Sequence, residues 1–128
     1  MNPKILEKLE HAKAQMRRGI LEFCILSLLG QEEMYSANII KALEKNDLIV
    51  VHGTLYPLLT RLKKIGLITY RWVESEQGPP RKYYSLTEDG KSFKNELEIT
   101  WNQLVHTVQS TTINVITPQN ISNHEQNS

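Results

Sequence analysis

Apolar residues recur at helical spacing in the N-terminal part of the chain. Four of them fall on one face of a helix over residues 3–18: Ile5, Leu9, Ala12 and Met16. Gly19 interrupts this pattern, and residues 20–29 are apolar almost all round. The pattern therefore predicts two consecutive helices. The second is fully buried and ends at Gly30, because glycine is common directly after a helix C-terminus.

Two shorter helices follow. The first begins near Ser36, a good N-cap, with Tyr35 placed to pack on Ile40, and it stops at residues 46–47. The next begins at residues 52–54, ends at Ile65, and has a leucine stripe for the core: Leu55, Leu58, Leu59 and Leu62. Gly66 and Leu67 are suited to a Schellman cap at its end.

The apolar period then changes to two. Residues 67–73 and 81–86 alternate as strands do, and the Gly- and Pro-rich SEQGPP between them predicts a β-hairpin turn. Thr87 is placed to cap a long last helix, with Glu88 and Asp89 in its first turn. That helix carries an apolar stripe: Phe93, Leu97, Trp101, Leu104 and Val108. The polar composition after it predicts a disordered tail.

Helices followed by a two-stranded hairpin form the winged helix-turn-helix arrangement, a mainly α fold with a small β-hairpin (α+β). We expect an N-terminal helix at residues 1–18 that contributes to a dimer, and a DNA-binding domain at residues 19–87. A C-terminal dimerisation helix at residues 88–112 and a disordered tail at residues 113–128 complete the predicted organisation.

Charge is distributed unevenly, although the formal net charge of the 128 residues is only +1. Residues 1–51 are neutral overall and residues 83–128 carry −3. Residues 52–82 carry +4 because only two acids offset six basic residues: Arg61, Lys63, Lys64, Arg71, Arg81 and Lys82. A basic helix and hairpin are typical of polyanion binding, and a chance excess on a solvated face is the alternative.

In a winged helix, the second helix of the helix-turn-helix pair enters the major groove and the wing lies on the adjacent minor groove or backbone. Nine residues on these two elements are therefore candidates for DNA contact: His52, Gly53, Thr54, Tyr56, Thr60, Arg61, Lys64, Arg81 and Lys82. Base reading is expected of Thr54, Tyr56 and Thr60, and phosphate contact of the basic residues. Tyr56 as a core aromatic, and Arg71 as a solvated strand residue, are the structural alternatives.

Three motifs occur in order: Gly-Thr-Leu-Tyr-Pro from Gly53, Arg-Leu-x-x-x-Gly-Leu from Arg61, and Arg-Lys-Tyr-Tyr-x-Leu-Thr-x-x-Gly from Arg81. Over about residues 16–90 the chain resembles the PadR family of bacterial transcriptional regulators. That resemblance implies a dimeric winged-helix protein, generally a repressor, that binds palindromic operators. It implies DNA contacts from the recognition helix and the wing, the wing residues being Gly78, Arg81 and Lys82.

The chain departs from the family pattern at two places. Ser36-Ala37 stands where the family commonly has Gly-Tyr, so no aromatic contact is expected from that helix. Val51 stands where the family commonly has Ser before the recognition helix, which predicts a weaker N-cap there.

The terminal helices carry more apolar surface than a three-helix core can cover. We expect a two-fold dimer, because operator half-sites lie about 34 Å apart and a C2 dimer matches them; the alternative is that each helix packs on its own domain. Six residues are candidates for the dimer contact: Ile5, Leu9, Phe93, Leu97, Trp101 and Leu104. In some members of the family a planar aromatic effector lies between the C-terminal helices, which implies Phe93, Leu97 and Trp101 as candidate contacts; Trp101 as a packing anchor is the alternative.

Other functional classes find no support in the sequence. The four histidines have no metal-ligand spacing with each other or with Cys24, and no nucleophile–base pair is present, so neither a metal, a cofactor nor an enzyme is expected. The absence of a long apolar run or signal peptide, and the single cysteine, favour a cytoplasmic protein without a membrane segment. A winged helix that binds proteins rather than DNA is the alternative function, and it would not require basic charge on both helix and hairpin.

Overall fold

The computed structural model describes the backbone of residues 1–116 and the side chains of residues 1–112. Its elements are α1 (Pro3–Gln31), α2 (Ser36–Lys45), α3 (His52–Lys64), β1 (Ile68–Ser75), β2 (Gly78–Leu86) and α4 (Glu88–Ile116). This order confirms the predicted fold class, with β1 and β2 as the wing. Residues 1–94 form one compact unit, and a second begins at Asn95.

The first helix is continuous, and the predicted break at Gly19 is wrong. α1 runs for 29 residues through Gly19 and Gly30 and ends at Gln31. A glycine inside a helix costs only about 0.5–1 kcal/mol relative to alanine, which the helix-forming residues on both sides of Gly19 offset. The N-terminus is fixed by Asn2, whose Oδ1 accepts a hydrogen bond from the Ile5 N–H at 3.0 Å.

The core of the first unit lies under the C-terminal half of α1. Its largest fully buried side chains come from α1, α2, α3 and β1: Ile25, Leu26, Ile39, Leu55, Leu59, Leu62 and Ile68. The predicted leucine stripe of α3 therefore faces inward, with Leu58 half-buried at its margin. The N-terminal half of α1 contributes no buried residue to this core.

The ends of the short helices differ from the prediction in one respect. Tyr35, not Ser36, is the N-cap of α2, and it caps without a side-chain hydrogen bond. The Ser36 hydroxyl bonds the Tyr56 hydroxyl at 3.2 Å. Val51 likewise caps α3 without a side-chain bond, as the sequence predicts.

The end of α3 confirms the predicted Schellman cap. Gly66 has φ +88, its N–H donates to the Lys63 carbonyl and the Leu67 N–H donates to the Leu62 carbonyl, both at 3.0 Å. The chain thereby turns directly from α3 into the wing.

The wing is longer than predicted, because Pro79 and Pro80 lie within β2 and only residues 76–77 separate the strands. β1 and β2 are antiparallel, with Tyr70 opposite Tyr84 and Trp72 opposite Lys82. On the other side of β2, the segment between α1 and α2 adds a bridge, in which the N–H and carbonyl of Met34 pair with Tyr84 at 3.1 and 2.8 Å.

The last helix begins as predicted. The Thr87 hydroxyl donates to the Gly66 carbonyl at 2.6 Å and accepts the Gly90 N–H at 3.0 Å. α4 continues to Ile116, beyond the predicted end at residue 112, and residues 117–128 of the predicted tail lie outside the described residues. Within residues 1–116, no helix combines the length and apolar character that a membrane crossing requires.

Candidate nucleic-acid interface

Two adjoining clefts separate α3 from the wing. One, of about 480 Å³, lies between the start of α2, the first half of α3 and the tip-side half of the wing. The other, of about 360 Å³, lies between the second half of α3 and the base of the wing. Both clefts are lined by Thr60, Lys82 and Tyr84, so together they form one groove, called here the recognition groove.

The lining of the recognition groove carries one sign of charge. Lys63, Lys64, Arg81 and Lys82 line it, and neither cleft is lined by an aspartate or glutamate. A concave surface with cations and no carboxylates concentrates the positive potential, which suits a polyanion.

Aromatic rings hold several of these cations in place. The Lys82 ammonium lies 4.6 Å from the ring centre of Tyr70 and 5.4 Å from that of Trp72. The Lys63 ammonium lies 5.2 Å from Tyr70, on the same ring. The attraction between a cation and a ring face orders the long lysine side chains while their N–H groups stay available to an anion.

The structure brings together only part of the predicted recognition-helix set. Tyr56, Thr60 and Lys64 line the groove. Thr54 lines a separate depression beside the α2–α3 loop and α1, and Gly53 is exposed and lines neither cleft. One guanidinium nitrogen of Arg61 forms an ion pair with Glu22 of α1, which directs the half-exposed side chain away from the groove that it does not line.

Tyr56 lies on the surface of the groove. Its side chain is 48% exposed, so the alternative assignment to the core is wrong. The bond from its hydroxyl to Ser36 ties the first half of α3 to the start of α2, and its ring lies 5.4 Å from the His52 ring. Ser36, a departure from the family pattern, therefore fixes a residue predicted to read bases.

The predicted wing residues separate in the same way. Arg81 and Lys82 line the groove, and the Arg81 guanidinium lies 4.6 Å from the ring centre of Tyr35. Gly78 is exposed at the start of β2 and lines neither cleft.

Arg71 is not simply a solvated strand residue. Its Nε donates to Glu33 Oε2 at 3.0 Å, and its second nitrogen donates to the other carboxylate oxygen. The hydrogen bond from Arg71 lowers the pKa of Glu33, and the same bond raises the pKa of Arg71. Arg71 is therefore a paired cation on the wing rather than one available to a ligand.

Trp72, Lys63 and Tyr35 are among the groove residues that the sequence does not mark as DNA contacts. Trp72 lies on the same strand face as Ile68 and Tyr70, but this face extends from the core towards the tip of the wing, so that Trp72 is 61% exposed. The position of Lys63 in the basic segment could have indicated that it lines the groove. No sequence pattern indicates this for Tyr35, because its position depends on how the α1–α2 segment lies against the wing.

Other candidate chemistry lies outside the groove. Cys24 is half-buried in α1, and burial raises the pKa of its thiol, as expected of a small apolar packing residue. Across the described residues, no cluster of three His, Cys, Asp or Glu side chains could hold a metal ion.

The residues predicted for the dimer are largely uncovered in the single chain. Ile5 and Phe93, in the first unit, are exposed, as are Trp101 and Leu104 in the second. Leu9 and Leu97 are half-buried.

Comparison with known proteins gives one family. The model of the Transcriptional regulator PadR-like family matches residues 25–96. Among solved structures, a PadR-like transcription factor from Bacteroides fragilis is 56% identical, with a TM-score of 0.69 over 80% of this chain and 99% of that one. A padr family transcriptional regulator from Eggerthella lenta is 30% identical, with a TM-score of 0.76 over 86% and 96% of the two chains.

A third similar structure is of Bacillus subtilis PadR in complex with operator DNA. It is 28% identical, with a TM-score of 0.58, over 62% of this chain and 47% of that one. Because the family model covers more than half of the chain and the motif-bearing region lies within it, the chain belongs to the PadR-like family of transcriptional regulators.

Proposed function

We propose that this protein is a sequence-specific DNA-binding repressor that acts as a homodimer on a palindromic operator in the cytoplasm. The observation that carries the proposal is the recognition groove, in which four cations and no carboxylate lie between the recognition helix and the wing. The family and the operator complex of one similar structure support the same partner.

Within this proposal, the groove residues divide by chemistry. Tyr56 and Thr60 read base edges in the major groove, since they combine exposure with hydroxyl donors or acceptors. Lys64, Arg81 and Lys82 contact phosphates, which position the protein without reading sequence. At the start of α3, Gly53 allows the backbone to come close to a phosphate and Thr54 donates its N–H to that phosphate. The wing tip around Gly78 lies near the neighbouring minor groove. Arg61 serves as a phosphate contact only if it leaves Glu22.

The apolar residues of the terminal helices support the dimer. Ile5, Phe93, Trp101 and Leu104 are each between 39% and 51% exposed, and contact with a second copy would cover them. An operator with two-fold symmetry needs two such chains.

A small aromatic effector that relieves repression is a further part of the proposal, with Phe93, Leu97 and Trp101 as its contacts. If so, the ligand quenches Trp101 fluorescence in a Trp72→Phe background. A flat titration across a panel of planar aromatic compounds would remove this part while leaving DNA binding intact.

Selection of bound duplexes from a random pool tests the function itself. We expect enrichment of an inverted repeat with half-site centres about one helical turn, or a multiple of it, apart. Recovery of the unselected pool would contradict operator binding, and would favour the winged helix as a protein-binding module.

A further inference from the structure

The outer side of the wing is tied to the body of the protein by a chain of contacts that starts at a Glu33–Arg71 ion pair outside the recognition groove. Arg71 lies on β1, the strand farther from the α1–α2 segment, and its partner Glu33 lies on that segment. Between them runs β2, with Tyr83 directly opposite Arg71 in register. The ion pair thus spans the width of the three paired segments, about 10 Å at the usual strand spacing.

Aromatic contacts continue from this ion pair towards Arg81. The Arg71 guanidinium lies 6.0 Å from the Tyr83 ring centre, and the tilted Tyr83 ring lies 5.4 Å from that of Tyr35. The Arg81 guanidinium lies 4.6 Å from the Tyr35 ring centre. A series of side-chain contacts therefore connects Glu33 to Arg81, one of the cations of the recognition groove.

The contacts between the wing and the body lie mainly at the base of the hairpin, where Leu67, Ile68 and Tyr84 are buried and Met34 bridges to Tyr84. On the groove side Lys63 contacts the Tyr70 ring, and on the side of the α1–α2 segment Tyr35 contacts Tyr83 and Arg81. The Glu33–Arg71 ion pair adds the described salt bridge between the wing and the body. A two-stranded ribbon is marginally stable alone, so its direction depends on such attachments. The half of the wing beyond Trp72 and Lys82 is exposed or half-buried throughout.

We propose that Glu33 and Arg71 are positioning residues for DNA binding. Their ion pair holds the wing at the angle that places Arg81 and Lys82 beside the recognition helix. This inference rests on the proposed function, since the positioned groups act only when a duplex fills the recognition groove. In this role neither residue contacts the DNA. The ion pair instead raises the fraction of free protein molecules in which the wing already has the orientation needed for binding.

The sign of one substitution separates positioning from simple electrostatics. Glu33→Gln removes a negative charge next to the wing, so electrostatics alone predicts tighter binding to any duplex. Positioning predicts weaker binding to the selected duplex, because glutamine keeps one acceptor oxygen for Arg71 but loses the charge and the second acceptor that make the tie strong. An exposed ion pair contributes modestly, so we expect a loss of about threefold per wing, and about tenfold for a dimer that uses both.

The test measures affinity for the inverted-repeat duplex recovered from the random pool, and for a scrambled duplex, over a range of salt concentrations. Glu32→Gln is the matched control. It removes the same charge at the neighbouring position, and the Glu32 carboxylate forms no ion pair among the described contacts. We expect Glu33→Gln to weaken binding to the selected duplex with the salt dependence unchanged, and Glu32→Gln to leave binding equal or tighter. Equal or tighter binding by Glu33→Gln would overturn the proposal.

A charge exchange adds a second criterion. The double variant Glu33→Arg with Arg71→Glu keeps the net charge and allows an ion pair of reversed polarity, so we expect it to recover part of the affinity lost in either single variant. A double variant as weak as the weaker single variant would mean that the ion pair does not position the wing.

The wing can also be observed without DNA. In a Trp101→Phe background, the fluorescence anisotropy of Trp72 reports on the order of β1, and we expect it to fall in Glu33→Gln but not in Glu32→Gln. If the parent binds no duplex, the proposed function is wrong. The anisotropy measurement still decides whether the Glu33–Arg71 ion pair orders the wing. Unchanged anisotropy in Glu33→Gln would contradict the tie.

Discussion

At the scale of single residues, Gly90 shows how closely the last helix approaches the base of the wing. It is buried in the first turn of α4, and a Cβ atom there would lie 1.9 Å from the carbonyl oxygen and 2.9 Å from the carbonyl carbon of Leu67. A backbone carbonyl cannot rotate away as a side chain can. The same carbonyl accepts the Thr87 N–H at 3.1 Å, so relieving the contact also disturbs the start of α4.

Gly90→Ala should therefore lower the free energy of unfolding by about 1–3 kcal/mol or more, as overpacked sites do. Gly53→Ala is the control, because a Cβ at Gly53 has no neighbour within 4 Å. Urea denaturation of both variants measures the difference. If the Gly90→Ala and Gly53→Ala variants were equally stable, the start of α4 would not pack as closely on the Leu67 carbonyl as this structure shows.

The Glu33–Arg71 ion pair predicts a dependence on pH. The hydrogen bond from Arg71 holds the pKa of Glu33 below the usual glutamate range, so the carboxylate gives up its charge less readily in the folded protein than in the unfolded chain. The contribution of the pair is therefore complete above the ordinary glutamate pKa of about 4.3, and is lost as the pH falls through the lowered value.

We expect the Glu33 carboxyl carbon to titrate, by NMR, at a lower pH in the parent than in an Arg71→Gln variant. Coincident titration curves would show that Arg71 does not stabilise the charged form of Glu33.

The limits of sequence analysis are clear for two residues of the site. The basic segment and the family motifs predict Tyr56, Thr60, Lys64, Arg81 and Lys82, all of which line the groove. Arg61 belongs to the same segment, but its direction is decided by Glu22, which is 39 positions away in the sequence. Trp72 reaches the groove because the wing extends beyond the core. Strand alternation predicts the face on which a residue lies, but not where along the strand that face leaves the core.

At the scale of elements, α1 is the main difference between prediction and structure. Helical periodicity predicts both of its halves, but Gly19 does not end the helix, because the helix-forming residues around one glycine offset its cost. The consequence is a continuous helix of about 43 Å, whose C-terminal half forms the core and whose N-terminal half is exposed. A partner bound to the exposed half would be joined directly to the DNA-binding core.

Gly19→Ala should stabilise α1. No atom lies within 4 Å of a Cβ at this position, so alanine adds no contact to be relieved, and the gain in helix propensity is about 0.5–1 kcal/mol. Thermal unfolding, together with helix content from circular dichroism, measures it. A loss of stability would indicate that α1 bends at Gly19.

The remaining elements follow from local sequence. The leucine stripe of α3, the Gly66 cap and the Thr87 start of α4 were each predicted from a few neighbouring residues, and each rests on short-range hydrogen bonds or one apolar face. The bridge between Met34 and Tyr84 was not predicted, because it pairs segments 50 positions apart and involves a single residue on each side. It places the α1–α2 segment, and with it Glu33 and Tyr35, beside the wing.

For the molecule as a whole, the proposed function requires the recognition groove to bind the phosphates of a DNA duplex. Each cation that neutralises a phosphate releases counterions, so the logarithm of the binding constant falls by about 0.9 per contact for each unit of log salt concentration. Removing wing cations should therefore change both the affinity and its dependence on salt.

The most direct measurement compares the parent with the Arg81→Ala, Lys82→Ala double variant in binding to the selected and scrambled duplexes across a salt series. A Lys4→Ala, Lys8→Ala variant is the control, because these lysines lie on α1 and line neither cleft of the groove. We predict that the wing variant binds both duplexes more weakly, with a salt slope shallower by up to about 2 for each wing in contact, while the control keeps a slope closer to that of the parent. A wing variant that retains the affinity and the slope of the parent would show that the wing cations do not contact DNA phosphates.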